Sequence, residues 1–326
     1  MKVWDLHCDT LSELRYAERD GKPKSFAKND LHIDLEKLQK GDYMLQCFAA
    51  FVNLGDKTPG ADPLVTALEE IDVFKRIMAK YPDQIAPVYT AADIQKNADA
   101  GKISGMLTIE EGGCCKGSLG VLRRMYELGV RMMTLTWNHK NELAEPNHAV
   151  DPWFEPNTDG GLTARGFEFL AEMERLHMIV DVSHLSDKGF WDIVEHSTRP
   201  FAASHSNCRA LSPHARNLTD DMIRALAERG GIAGLNDCGL FLNATASPCP
   251  STTALLAKHA AHFKKVGGID MIALGSDFDG IGGELEMYDC SQLPRLVDAL
   301  QKAGFTEDEI EKIFWRNAKR FFEENL

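Results

Sequence analysis

The chain has 326 residues, 44% of them hydrophobic and 26% charged, a balance typical of a globular protein with a sizeable core. Its net charge of −13, with no Lys/Arg cluster among aromatic residues, argues against nucleic acid or an anionic membrane as a partner. No apolar stretch approaches the about 20 residues that span a bilayer, and eight cysteines are too few for a disulfide scaffold. We therefore expect one domain over 1–326, without a signal peptide and located in the cytoplasm.

Short apolar runs alternate with amphipathic helical stretches along the chain. Most of the runs are too continuously apolar for half-exposed strands, as expected for a parallel sheet that is buried on both faces. Eight runs fit this description, at 3–6, 43–52, 103–109, 130–136, 178–182, 200–204, 231–235 and 271–275.

Helices are predicted between these runs. Helical spacing of apolar residues predicts helices over 63–80, 118–128 and 163–177. Thr219 precedes two aspartates at the start of a further helix, which ends at the glycine pair that begins with Gly230. Thr306 and Glu309 form a capping-box signature for a last helix over 307–324.

This alternation predicts the fold class. Eight strand–helix units in a chain of this length indicate an α/β fold, a (β/α)8 TIM barrel, with a doubly wound open sheet as the alternative. Three long loops follow predicted strands, at 53–62, 138–162 and 236–252, and are rich in Gly, Pro, Asn and Asp. In a barrel these loops would lie at the C-terminal mouth, where the loops that cover a substrate usually lie.

Residues that commonly bind metals follow five of the predicted strands. They are His7 and Asp9 after the first, Glu110 and Glu111 after the third, His184 after the fifth, His205 after the sixth and Asp277 after the eighth. Each alone has an ordinary explanation as a turn residue or a hydrogen-bonded histidine. Together they are poor core formers that a barrel would bring to one pocket, with enough ligands for two divalent cations and one bridging carboxylate.

The same residues lie in motifs whose order and spacing are specific. The motifs are His7-x-Asp9, Glu111-Gly112-Gly113, the stretch from Leu119 to Thr136, Asp181-Val182-Ser183-His184, Ser204-His205-Ser206, Arg216 to Asp221 and Gly275 to Gly280. On these motifs the chain resembles, nearly end to end, the membrane (renal) dipeptidase family, peptidase family M19 of the amidohydrolase superfamily. The resemblance implies a metallo-dipeptidase that hydrolyses small dipeptides with a hydroxide bridging two divalent ions, most often zinc. It also implies that homodimers are common.

The resemblance further implies roles for individual residues. His7 and Asp9 resemble ligands of one zinc ion, and His184 and His205 resemble ligands of the other. Glu111 resembles the bridging carboxylate, because it adjoins the glycine pair and Glu110 would face the other way on a strand. Asp277 resembles the proton carrier, and Arg216 resembles the arginine that binds the carboxylate of the dipeptide.

One departure from the family pattern concerns the histidine that contacts the substrate carbonyl. In the family this histidine directly follows a Leu-Thr pair, but here Leu135-Thr136 is followed by Trp137-Asn138-His139. His139 is a candidate for this role from a displaced position, with a water or a backbone donor as the alternative. Two other functions stay open: an amidohydrolase acting on N-acyl amino acids or lactams, and a barrel without catalysis.

Overall fold

Eight parallel strands close into a barrel in the computed structural model, which describes residues 1–150 and 153–326. The strands of the barrel are β1 (Val3–Asp5), β2 (Tyr43–Phe51), β4 (Ile103–Glu110), β5 (Val130–Thr134), β8 (Ile179–Asp181), β9 (Ala202–Ala203), β10 (Ile232–Leu235) and β11 (Ile272–Leu274). Each pairs in parallel with its neighbours, and the pairing of β2 with β4 closes the ring. The predicted (β/α)8 barrel is therefore confirmed. Each of the eight apolar runs overlaps one barrel strand, and β4 extends one residue past its run, to Glu110.

Among the described residues, three short strands lie outside the ring. β3 (Ile85–Pro87) pairs with the edge of β4, and β6 (His148–Val150) pairs antiparallel with β7 (Trp153–Glu155) as a hairpin. This hairpin belongs to the long loop predicted over 138–162, of which residues 151 and 152 lie outside the described residues. The loop is therefore partly ordered by its own small sheet.

Helices follow the strands and cover the outside of the barrel. They are α1 (Thr10–Arg19), α2 (Leu35–Lys40), α3 (Pro63–Lys80), α4 (Ala91–Asp99), α5 (Leu119–Leu128), α6 (Ala164–Leu176), α7 (Asp187–His196), α8 (Asp220–Glu228), α9 (Gly239–Leu242), α10 (Thr253–Gly267), α11 (Leu296–Lys302), α12 (Glu307–Glu311) and α13 (Asn317–Asn325). The Thr219 side chain caps α8 and the Thr306–Glu309 capping box begins α12, as predicted. Among the described residues, no helix has the length and apolar character needed to cross a membrane.

The last predicted helix, 307–324, is interrupted. A π turn over Lys312–Arg316 separates α12 from α13. A π turn adds a residue to the helical turn and so rotates the helix that follows. Phe321 and Phe322 of α13 are buried, as are Ile313 and Phe314 of the turn.

The interior of the barrel is an apolar core that α13 closes from below. This core takes at least one residue from each barrel strand or its immediate end, including Leu6, Cys47 and Met106. The Phe322 ring stacks on that of Trp4 at a centroid distance of 5.7 Å. Because the N-terminal end is filled in this way, the open end of the barrel is the C-terminal one, where the predicted metal ligands lie.

Candidate metal centre and active site

Two histidines and a glutamate converge at the carboxyl ends of neighbouring strands. Glu110 is the last residue of β4, His184 follows β8 and His205 follows β9. The Nε2 atoms of His184 and His205 lie 2.9 Å apart, and Glu110 Oε1 lies 2.8 Å and 3.5 Å from them. His184 has a left-handed backbone with φ of 68°, a strained conformation of the kind found at functional sites.

The other carboxylate oxygen of Glu110 belongs to a second group of donors. His7 Nε2 lies 3.4 Å from Glu110 Oε2 and 3.5 Å from Asp9 Oδ2. Asp277 Oδ1 lies 3.7 Å from the same nitrogen, and the Asp277 backbone is also left-handed, with φ of 64°. Gly280 packs directly against Asp9, where a Cβ atom would collide with Asp9 Oδ2. The absence of a side chain at Gly280 therefore leaves room for the Asp9 carboxylate beside His7.

The two donor groups have the composition and spacing that a divalent metal requires. One consists of His7, Asp9 and Glu110, and the other of Glu110, His184 and His205. Tetrahedral zinc with ligand bonds near 2.0 Å separates its ligand atoms by about 3.3 Å, close to the distances observed here. His7 Nε2 and Asp9 Oδ1 are buried and lack hydrogen-bond partners among the described residues. Buried polar atoms without partners are costly, so a cation at this position would satisfy them.

The electrostatics of the cluster also favour a cation. Burial raises the pKa of Asp9 and of Asp277, and the charge on Glu110 raises both further. Burial opposes a charge on His7, but Glu110 and Asp9 outweigh burial and raise its pKa well above the usual value. Three carboxylates are thus crowded into a dry site with too little positive charge, which a divalent cation would supply.

The other two histidines are held neutral, as ligands must be. Burial, and next the charge of Arg216, lower the pKa of His184 to about 4. Burial, and next the charge of His7, lower the pKa of His205 well below its usual value. Both imidazoles therefore keep a lone pair at neutral pH.

Outer hydrogen bonds determine which nitrogen carries that lone pair. His205 Nδ1 lies 2.7 Å from Ser204 Oγ, and Ser204 in turn donates to Asp181. His184 Nδ1 lies 2.9 Å from Asn138 Oδ1. The Ser204 hydroxyl already donates to Asp181, so toward His205 it accepts, and the amide oxygen of Asn138 can only accept. Each Nδ1 therefore carries the proton, and each Nε2 faces the cluster unprotonated.

A cavity of about 340 Å³ opens above the cluster. Asp9, Glu110, His184 and Asp277 form its floor, and Tyr16, Phe51, Trp137, Asn138, Phe241 and Ile281 contribute to its walls. Asn53, Asn138 and Cys238 come from the three long loops, which therefore lie at the mouth as expected. The volume is at the small end of ligand cavities, which suits a small substrate.

Arg216 lies behind the wall of the cavity. It is only 4% exposed, and its guanidinium carbon lies 5.2 Å from the centre of the Phe241 ring. Its terminal nitrogens donate to Ser206 Oγ and the His205 carbonyl, each over 3.4 Å, and its buried Nε has no partner among the described residues. A buried guanidinium with long hydrogen bonds and a spare donor is available for an anionic ligand.

The structure corrects the choice between the two adjacent glutamates. Glu110, not Glu111, faces the histidines, because β4 ends at Glu110 and the backbone turns there. Glu111 has φ of 96°, and its side chain points away to accept from the backbone N–H groups of Gly113 and Trp137. Burial raises the Glu111 pKa to about 7. The choice of Glu111 over Glu110 for the position that faces the histidines does not match this placement, because the alternation of a strand was extended past its last residue.

The structure also corrects the placement of His139. Its side chain is exposed, and its Nε2 lies so close to Gly55 that a Cβ atom there would meet it at 2.7 Å. Asn138, one residue earlier, lines the cavity and contacts His184 instead. The structure does bring together His7, Asp9, His184, His205 and Asp277, with Arg216 beside them.

Sequence reasoning missed two polar contacts of the site. Asn138 was passed over in favour of the neighbouring histidine, although it lies next to the position of the departure from the family pattern. Asn236, which donates to Asp277 Oδ2 over 2.9 Å, follows β10 and was not selected. Its position immediately after a barrel strand was the available signal.

A parallel (β/α)8 barrel that gathers histidines and carboxylates at its C-terminal mouth has its candidate metal site where the active sites of such barrels lie. A 34%-identical relative is an uncharacterised dipeptidase of Schizosaccharomyces pombe, aligned over 89% of this chain and 71% of its own. Another, 35% identical over 79% of this chain and 95% of its own, is an uncharacterised protein in the pqqA 5′ region of Klebsiella pneumoniae. The model of the membrane dipeptidase family, peptidase family M19, matches residues 1–325, and the chain belongs to this family.

Solved structures agree with this assignment. A metallo peptidase from Rhodobacter sphaeroides, liganded with a phosphinate mimic of the dipeptide L-Ala-D-Ala, superposes with a TM-score of 0.89. The two chains are 25% identical, and the match covers 100% of this chain and 99% of the other. The expected class of enzyme, a metallo-dipeptidase, is thereby confirmed.

Proposed function

We propose that this enzyme hydrolyses the peptide bond of small dipeptides with two zinc ions, one held by His7, Asp9 and Glu110 and the other by Glu110, His184 and His205. The observation that supports this proposal is the pair of donor groups that share one carboxylate at the floor of the cavity. Two divalent cations supply, when bound, an acidified water and polarisation of the substrate carbonyl. We further expect a cytoplasmic location and a homodimer, which fractionation and light scattering would test.

The residues around the centre have separable tasks in this proposal. Asp277 holds and moves the proton: its Oδ1 faces the cluster, while Asn236 fixes its Oδ2. From this position the Asp277 carboxylate would take a proton from the attacking water and deliver it to the leaving amine.

Arg216 and the walls of the cavity define the substrate. The buried guanidinium would bind the terminal carboxylate of the dipeptide, and a fixed anchor for that carboxylate limits the length of the chain that fits. Phe51, Trp137 and Phe241 give the wall of the cavity an apolar surface, and a bound substrate that displaced water from it would strengthen the electrostatic interactions at the centre.

A panel of dipeptides assayed with zinc, with and without chelator, tests the proposal. We expect hydrolysis that is lost on chelation and restored by zinc, and Asp277→Asn should lower kcat by about 10²–10⁴-fold. A matched control is Asp159→Asn, a change of the same type at an exposed loop residue that does not line the cavity. Turnover that survives complete metal removal would contradict the proposal. Turnover of N-acyl amino acids or lactams in place of dipeptides would indicate the other amidohydrolase function.

A further inference from the structure

Glu111, which does not face the metal centre, has an unusual backbone conformation. Its φ and ψ are 96° and 86°, and it links the end of β4 to a short 3₁₀ turn at Gly112–Cys115. Such a conformation is unfavourable for a residue with a Cβ atom, and it persists only where the surrounding structure enforces it. The contacts of the Glu111 side chain therefore require an explanation.

These contacts attach the segment after β5 to the end of β4. The carboxylate is fully buried, and it accepts from Gly113 N over 2.7 Å, from Trp137 N over 2.8 Å and from the Asn141 amide. Asn141 also donates to the Leu135 carbonyl over 2.8 Å. Two of the three donors to Glu111 thus belong to the segment 137–141.

The segment 137–141 in turn forms part of the site. The Trp137 ring packs against Phe51 at a centroid distance of 4.9 Å and lines the cavity. Asn138 Oδ1 accepts from His184 Nδ1 and so directs the lone pair of His184 Nε2 to the cluster. A shift of this segment would displace one wall of the cavity and release the ring of His184.

We propose that Glu111 is a positioning residue that locks the segment 137–141, so that Asn138 fixes the His184 ring and Trp137 fixes the wall of the cavity. The proposal rests on the proposed function in one respect, the assignment of His184 as a metal ligand. It assigns to the second of the two adjacent glutamates a task distinct from metal binding, and it accounts for the strained backbone.

The test compares Glu111→Gln with Glu142→Gln, an exposed glutamate that follows the same segment. Hydrogen–deuterium exchange of the Trp137 amide reports the lock directly, and the ¹⁵N shifts of the His184 ring report its tautomer. In Glu111→Gln we expect Trp137 exchange at least about tenfold faster, mixed His184 tautomers, and a kcat/KM lowered by about 10–100-fold. Zinc stoichiometry at saturating zinc should equal that of the parent. Glu142→Gln should change none of these.

Two further variants keep the test decisive. Asn138→Ala should disturb the His184 tautomer and kcat/KM while leaving the Trp137 amide protected. Glu111→Gly removes the carboxylate but relieves the strained backbone, so it should fold and show the same fast exchange if Glu111→Gln fails to fold. Loss of one zinc from Glu111→Gln with unchanged Trp137 exchange would overturn the proposal, as would unchanged exchange and unchanged kcat/KM. Exchange and zinc content do not depend on dipeptide turnover, so they separate a failure here from a failure of the proposed function.

Discussion

Replacing Arg216 should abolish the preference for a free carboxylate without abolishing hydrolysis. The perturbation is Arg216→Met, which keeps the length of the side chain and its packing under Phe241 but removes the charge and all donors. A dipeptide and its C-terminal amide are the matched substrates, because they differ only in the group that Arg216 would bind.

The expected magnitude follows from the burial of the guanidinium. Arg216 is 4% exposed and has a spare Nε, so a bound carboxylate would form a desolvated charge pair with it. Removing one partner of such a pair costs about 2–5 kcal/mol, or about 30- to 5,000-fold in kcat/KM for the dipeptide. Arg216 also lowers the pKa of His184, but this effect acts on both substrates and cancels in their ratio.

The assay measures kcat/KM for both substrates with the parent, Arg216→Met and Arg216→Lys. We expect the parent to prefer the dipeptide by the factor above, the methionine variant to show a ratio near one, and the lysine variant to lie between them. Equal losses for the dipeptide and the amide would refute the reasoning, because the arginine would then act on the centre and not on the substrate.

Three other perturbations have defined outcomes. Gly280→Ala should push the Asp9 side chain away from His7, because the new Cβ atom would collide with Asp9 Oδ2. We expect kcat/KM to fall by about 100-fold or more, with a matching fall in zinc affinity in a competitive titration. Unchanged zinc affinity would contradict this. Burial raises the pKa of Glu70 well above its usual value. The folded state therefore retains a proton that the unfolded state releases above pH about 4.5, so the free energy of unfolding falls as pH rises from there. Glu70→Gln should therefore stabilise the protein more at pH 8 than at pH 5 in urea unfolding, and an equal effect at both pH values would disprove the assignment. Burial lowers the pKa of His259 to about 4, so stability should fall as pH drops from about 6.5 toward that value; His259→Asn should reduce this acid sensitivity, and an unchanged dependence on pH would contradict it.

The fold could be predicted because its signals are local and repeated. Each barrel strand is a short apolar run, and some helices begin at caps that the sequence shows, as Thr219 and Thr306 do for α8 and α12. The positions of His7, Asp9, His184 and His205 follow from the same rule, since all come at or just after the end of a strand.

The glutamate was misassigned because the error lay within one residue of a strand end. Strand alternation distinguishes the two faces only while the chain is extended, and here it ends at Glu110. Whether Glu110 or Glu111 faces the centre depends on a left-handed turn that glycine usually adopts, so an alternation argument could not anticipate a glutamate in it. His139 was chosen for its chemistry, whereas the fold presents its neighbour Asn138 to the cavity.

The most direct test of the metal centre is an anomalous difference map recorded at the zinc edge from crystals grown with zinc. The proposed function predicts two peaks on either side of the Glu110 carboxylate, one beside His7 and Asp9 and the other beside His184 and His205. Peaks beside Glu111 would contradict the assignment of Glu110 as the shared ligand. So would the absence of a peak at both predicted positions when the protein in solution is saturated with zinc.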